Sequence, residues 1–178
     1  MNKYIKNNRG LTLVETLATV VVLSIILIAG TYILITSLNH YNKISAENTL
    51  RDEADVIMVQ LHRELYTVKE SEIQSLQVVQ PISSGTNTIY RDSYLVFKSN
   101  QETGFKNKQI LIKDIPYQFN SNIKLITATD HQTNYSQITK NGTNSYVIKL
   151  VLKNTQKNIT RTFENEISTI NDIKTGGN

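Results

Sequence analysis

The chain has 178 residues, no cysteine, and a formal charge of +4 from 19 Lys+Arg against 15 Asp+Glu. Its length fits one domain beside a membrane segment, and the missing cysteine excludes disulfides and thiol chemistry. Lys3, Lys6 and Arg9 lie in an acid-free leader, and without them 16 basic residues face 15 acidic ones, a side-chain charge of only +1. A broad nucleic-acid surface needs clustered Lys and Arg, so DNA is a partner that the net charge does not support.

The first element is the basic leader ending at Gly10, followed by an apolar run from Leu17 to Leu38 that carries no charge over 22 positions. About 20 apolar residues span a bilayer, and positive flanks stay cytoplasmic. A secretory signal core is shorter, about 7–15 residues, and ends in a small-x-small site. No Ala-x-Ala follows this run. A plain anchor accounts for the length and the flank, but not for Glu15 or for Gly10. A charge at membrane depth costs about 2.5–3.5 kcal/mol, so Glu15 needs a partner or a task.

Arg9-Gly10-Leu11-Thr12-Leu13-Val14-Glu15-Thr16-Leu17-Ala18 resembles the class III signal of type IV pilins and of the pseudopilins of type II secretion and DNA-uptake machines. The resemblance covers residues 1 to about 38. It implies that prepilin peptidase cuts after Gly10 and methylates the new N-terminus, Leu11, where the family most often has Phe. It also implies that Glu15 neutralises the amino terminus of a neighbouring subunit, two charges that are costly alone. The implied partners are the peptidase, other pilins or pseudopilins in a filament, the inner-membrane assembly platform, and membrane lipid before assembly. The implied location is a single-pass membrane protein with a cytoplasmic N-terminus and extracytoplasmic headpiece, later an extracellular filament. Many major pilins have a helix-weakening proline where this chain has Tyr32. Gly30, at about 1 kcal/mol in a helix interior, is the candidate weak point instead.

Helical periodicity continues beyond the apolar run. Ala46, Leu50, Ala54, Ile57, Leu61, Leu65 and Val68 recur in steps of three and four, one face of a helix. Neither Gly nor Pro interrupts residues 31–80. The pattern predicts one helix from about Leu11 to about Lys69, roughly 85–90 Å at 1.5 Å per residue. Too few turns keep a strict seven-residue repeat to favour a bare coiled coil.

After Lys69 the pattern turns to short β-rich runs between polar loops. The expected strands are Ser75–Gln80, Tyr94–Ser99, Gln109–Lys113, Lys124–Ala128, Tyr146–Lys153 and Asn158–Phe163, the last two joined by Asn154-Thr155-Gln156-Lys157 as a hairpin. Pro81–Gly85 and Asn141-Gly142 mark loops or turns. The expected class is α+β, a long N-terminal helical spine carrying an antiparallel β-sheet headpiece. The expected organisation is a cleaved leader at 1–10, a transmembrane and filament-core helix at 11–42, an amphipathic helix at 43–70, a β-rich headpiece at 71–172 and a flexible tail at 173–178.

Little in the sequence points to active chemistry. His40, His62 and His131 show no metal-ligand spacing, and Asp114, Asp130 and Asp172 stand apart from one another. No phosphate loop or nucleophile elbow appears, so no enzyme activity, catalytic residue, metal or cofactor is expected. Tyr90, Tyr94, Phe97, Phe105, Tyr117 and Phe119 suit core and interface packing better than a base-stacking platform. Residues 54–65 resemble the second helical segment of J-type minor pseudopilins and W-type minor pilins, as does the late hairpin ending Arg161-Thr162-Phe163-Glu164-Asn165. The expected function is therefore a structural minor subunit at or near the tip of a type IV pilus, competence pseudopilus or secretion pseudopilus. The alternative is a tip adhesin or DNA-uptake receptor that binds through its headpiece.

Overall fold

A computed structural model describes residues 12–78, 92–127 and 134–172. Among the described residues a single helix, α1 (Leu13–Tyr66), is followed by a 3-10 turn at Glu70–Glu72 and nine strands. The chain divides at Ile44 and Ser45 into two compact units. The fold is thus α+β, with antiparallel sheets behind one long helix.

In the first unit the helix carries its polar groups without exposing them bare. The hydroxyls of Ser24, Thr31 and Thr36 donate to the carbonyls of Val20, Leu27 and Tyr32, at 2.7, 2.7 and 2.9 Å. Such back-bonding lets hydroxyl groups sit in an apolar helix without an outside partner. Helix α1 is long and apolar enough to cross a membrane, and none of its most apolar window is buried within the structure.

In the second unit, Leu50, Ala54, Ile57, Leu61 and Leu65 are fully buried or nearly so. The predicted stripe is therefore the core face, joined by Met58, with Val68 half-buried just past the helix. α1 ends three residues before the expected Lys69. Val68 N–H turns back to the Leu65 carbonyl, and Lys69 is extended and bridged in parallel to Ile170. Pairing with a segment about a hundred residues later ended the helix, which local periodicity does not encode.

The first sheet is an antiparallel meander of β1 (Ile73–Val78), β2 (Ser93–Phe97), β3 (Glu102–Lys106), β4 (Gln109–Ile112) and β5 (Ile115–Pro116). The second contains β6 (Ile123–Leu125), β7 (Gln137–Lys140), β8 (Ser145–Asn154) and β9 (Ile159–Ser168). In it β8 pairs with β9 along its whole length and with β6 and β7 on its other edge. The expected late hairpin is β8–β9, with β9 running five residues past Phe163. The expected strands at 75–80, 94–99, 109–113 and 124–128 appear as β1, β2, β4 and β6, with bounds moved by at most three residues, and Gln80 and Ala128 lie outside the described residues. So do Pro81–Gly85, Tyr90, Asp130 and His131. Strands β3, β5 and β7 were not expected. Ser93 ties the two sheets: its hydroxyl donates to the Ile138 carbonyl at 3.1 Å and accepts the Ile138 N–H.

The β3–β4 connection turns at Asn107 and Lys108, both with positive φ, as a two-residue hairpin of this hand requires. Gly104 in β3 answers a different need. It faces Tyr94 across the ladder at φ +142°, and a Cβ there would lie 2.6 Å from the Tyr94 Cα and 2.7 Å from the Ser93 carbonyl oxygen. Gly104→Ala is expected to destabilise the headpiece by about 1–3 kcal/mol, read as a lower urea midpoint for the full-length protein in detergent. An unchanged midpoint would mean that the strands separate freely at this pair.

Candidate functional site

The start of α1 is built around two side chains. Thr12 caps the helix and Glu15 sits in its first turn. The Glu15 carboxylate accepts the Thr12 N–H at 3.0 Å and the Thr12 hydroxyl at 3.1 Å, while the Glu15 N–H donates to the Thr12 hydroxyl oxygen at 3.3 Å. Thr-x-x-Glu with these reciprocal bonds is a capping box. It also places a negative charge at the positive end of the helix dipole. Thr16 and Thr19 bond back to main-chain carbonyls, Thr19 to that of Glu15 at 2.8 Å. The carboxylate in the apolar segment is therefore not bare. Its first partner is the helix's own end, a role beyond the expected pairing with a neighbour and one that the Thr12-Leu13-Val14-Glu15 spacing signals.

Residues 5–31 match the family model of the prokaryotic N-terminal methylation motif. The chain carries the type IV pilin and pseudopilin signature. No curated protein and no solved structure matches the chain. A pilin-type signal points to a structural subunit, processed by prepilin peptidase and assembled with other pilins. Its apolar helix fits membrane anchoring. Of the pilin-type residues, Lys3, Lys6, Arg9, Gly10 and Leu11 lie outside the described residues. α1 passes through Gly30 without a break, and a Cβ there would meet nothing within 4 Å.

The headpiece behind this signal has a buried ionic centre that the sequence did not announce. Glu70, in the 3-10 turn, is 5% exposed. Its carboxylate accepts Lys140 Nζ at 2.5 Å, the Tyr146 hydroxyl at 2.8 Å and the Thr169 hydroxyl at 2.7 Å. Burial acts to raise the Glu70 pKa, but the bonds from Lys140, Thr169 and Tyr146, with the Lys140 charge, leave it below the ordinary carboxylate value. Burial and the same carboxylate push the Tyr146 phenol well up. Beside this centre, Ser71 N–H and hydroxyl both donate to Asp172. The groups join the 3-10 turn after α1, β7, β8 and the segment after β9. Bonded to one another in this way, they hold the headpiece together.

Among the described residues, several other candidates make packing contacts or local hydrogen bonds. Phe97 and Phe105 are buried, and Tyr117 and Phe119 meet edge to face at 5.2 Å against the core. Burial and the Glu53 charge, with the bond from the Tyr117 hydroxyl to Glu53, push Tyr117 up to about 12. Lys106 covers Tyr94 at 4.6 Å from the ring centre, so these aromatics do not form a common stacking surface. His62 stacks on Tyr66, with ring centres 5.5 Å apart. Asp114 accepts the Glu102 N–H at 2.9 Å, and Asp172 is held by Ser71. Among the described residues no group of three His, Asp or Glu is placed to hold a metal.

Proposed function

We propose that this chain is a minor pilin or pseudopilin, cut after Gly10, methylated at Leu11, and assembled at or near the tip of an extracytoplasmic filament. The observation that carries the reading is the carboxylate of Glu15 in the first turn of α1, just before its charge-free run Leu17–Leu38 and five residues after the glycine of a matched methylation motif. Before assembly Glu15 is held by Thr12. On entering a filament it exchanges those two bonds for the amino group of a neighbour's Leu11, so no step leaves the charge unpaired in lipid. Lys3, Lys6 and Arg9 hold the leader on the cytoplasmic side until cleavage. Gly30 supplies the local weakness that proline supplies in many major pilins.

The minor-subunit reading is supported by two segments lying close together. Asp55, Met58, Val59, His62 and Arg63 of α1 and Asn165 of β9 line one cavity, and these come from the two stretches that resemble J-type and W-type subunits. Intact-mass measurement of protein extracted from peptidase-positive cells is expected to show a chain beginning at a methylated Leu11. A retained Met1 leader in such cells would overturn the proposal.

A further inference from the structure

We propose that Asn141 is a site of spontaneous deamidation, with water as the only co-reactant. Asn141-Gly142 is the one Asn-Gly pair in the sequence, and it lies at the tip of the β7–β8 connection. The Gly142 N–H donates to no acceptor among the described residues, φ there is +83°, and a side chain at Gly142 would meet nothing within 4 Å. The nucleophile is thus unhindered and unengaged, as glycine alone allows. Gly142 N attacks the Asn141 side-chain carbonyl carbon, a C–N bond forms to close a succinimide, and the amide nitrogen leaves as ammonia. Water then opens the ring at either carbonyl, which yields aspartate or isoaspartate.

Asn144, three residues on, provides an internal contrast. Its side-chain amide donates to the Thr169 carbonyl at 2.9 Å, and its own carbonyl accepts the Thr169 N–H at 2.8 Å. Ser145 follows it, with a side chain that shields the next nitrogen. Both asparagines are hydrogen-bonded, so it is the bulkier following residue that holds Asn144 away from the same reaction.

The site also determines what the product does. The Asn141 side-chain amide donates to Glu166 Oε1 at 3.0 Å, an oxygen that also accepts the Ser145 hydroxyl. Deamidation replaces that donor with a second carboxylate facing the first, and like charges at this range repel. The isoaspartate product also lengthens the main chain where the Asn141 N–H donates to the Ser145 carbonyl at 2.8 Å. Both effects loosen the tip that joins β7 to the β8–β9 pair, in a time-dependent way suited to a subunit that persists outside the cell.

The test uses the full-length protein in detergent, incubated in mildly alkaline buffer and mapped by tryptic digestion. Cleavage after Lys140 and Lys149 leaves residues 141–149 as one peptide with both asparagines. The expected result is a growing mass gain for the change of NH2 to OH, located at position 141 by fragmentation, with isoaspartate present and Asn144 intact. Gly142→Asn tolerates the positive φ and is expected to lose the signal. Conversion of Asn144 as fast as Asn141, or of Gly142→Asn as fast as wild type, would overturn the proposal. So would an Asn141 that stays intact while other asparagines convert.

Discussion

Glu70→Ala is expected to destabilise the headpiece by about 1–3 kcal/mol, because a buried phenol loses its acceptor. The Tyr146 hydroxyl is left without its acceptor, and an unsatisfied buried donor costs about 1–3 kcal/mol, whereas the Thr169 hydroxyl keeps the Asn144 carbonyl at 3.1 Å. Lys140 adds less, because its side chain is 41% exposed and its ion pair is partly screened. Urea unfolding of the full-length protein reads the loss. A midpoint within error of wild type would mean that water replaces the carboxylate without penalty.

The pH dependence isolates the charge from the hydrogen bonds. Glu70 titrates below its ordinary value of 4.5 in the folded protein. Its charge therefore stabilises the fold fully above that value, and the contribution is lost as pH falls through the lower folded value. Glu70→Gln removes this titration. The gap in unfolding temperature between wild type and Glu70→Gln is expected to be constant near neutral pH and to close as pH drops below 4.5. A gap that widened in acid would reverse the assigned shift.

Glu15→Val is expected to leave cleavage after Gly10 and membrane insertion intact and to reduce filament incorporation about a hundredfold. That figure follows from the cost of about 2.5–3.5 kcal/mol for a charge left unpaired at membrane depth, here the neighbour's amino terminus. Glu15→Gln separates the two jobs of this side chain. Glutamine also completes a capping box, so it keeps the helix start but cannot neutralise an ammonium. Both variants are expected to fall short of wild type in sheared-filament yield at equal membrane levels. Wild-type assembly by Glu15→Gln would leave capping as the only role of Glu15.

The helical stripe from Ala46 to Leu65 was legible because each member recurs on one face and each is buried there. The β8–β9 hairpin was legible for the same kind of reason, a run of β-branched residues and a polar turn. β3 was not: Glu102-Thr103-Gly104-Phe105-Lys106 has charged ends and a glycine at its centre. It is a strand because Gly104 permits the close approach of Tyr94. β7 likewise holds one buried apolar residue, Ile138, and is secured by Ser93 of the other sheet.

By itself, the sequence determined the apolar span, the place of Glu15 at its start and the core face of α1. Each is a local pattern of charge, spacing or period, and local geometry is enough to express it. Only the tertiary structure decided that α1 stops at Tyr66, that Glu70 is buried, and that the segment after β9 returns to pair with Lys69. Those outcomes join residues about a hundred positions apart. Their hydrogen bonds form when burial removes the water that would otherwise satisfy the same groups, and no window of sequence contains both partners.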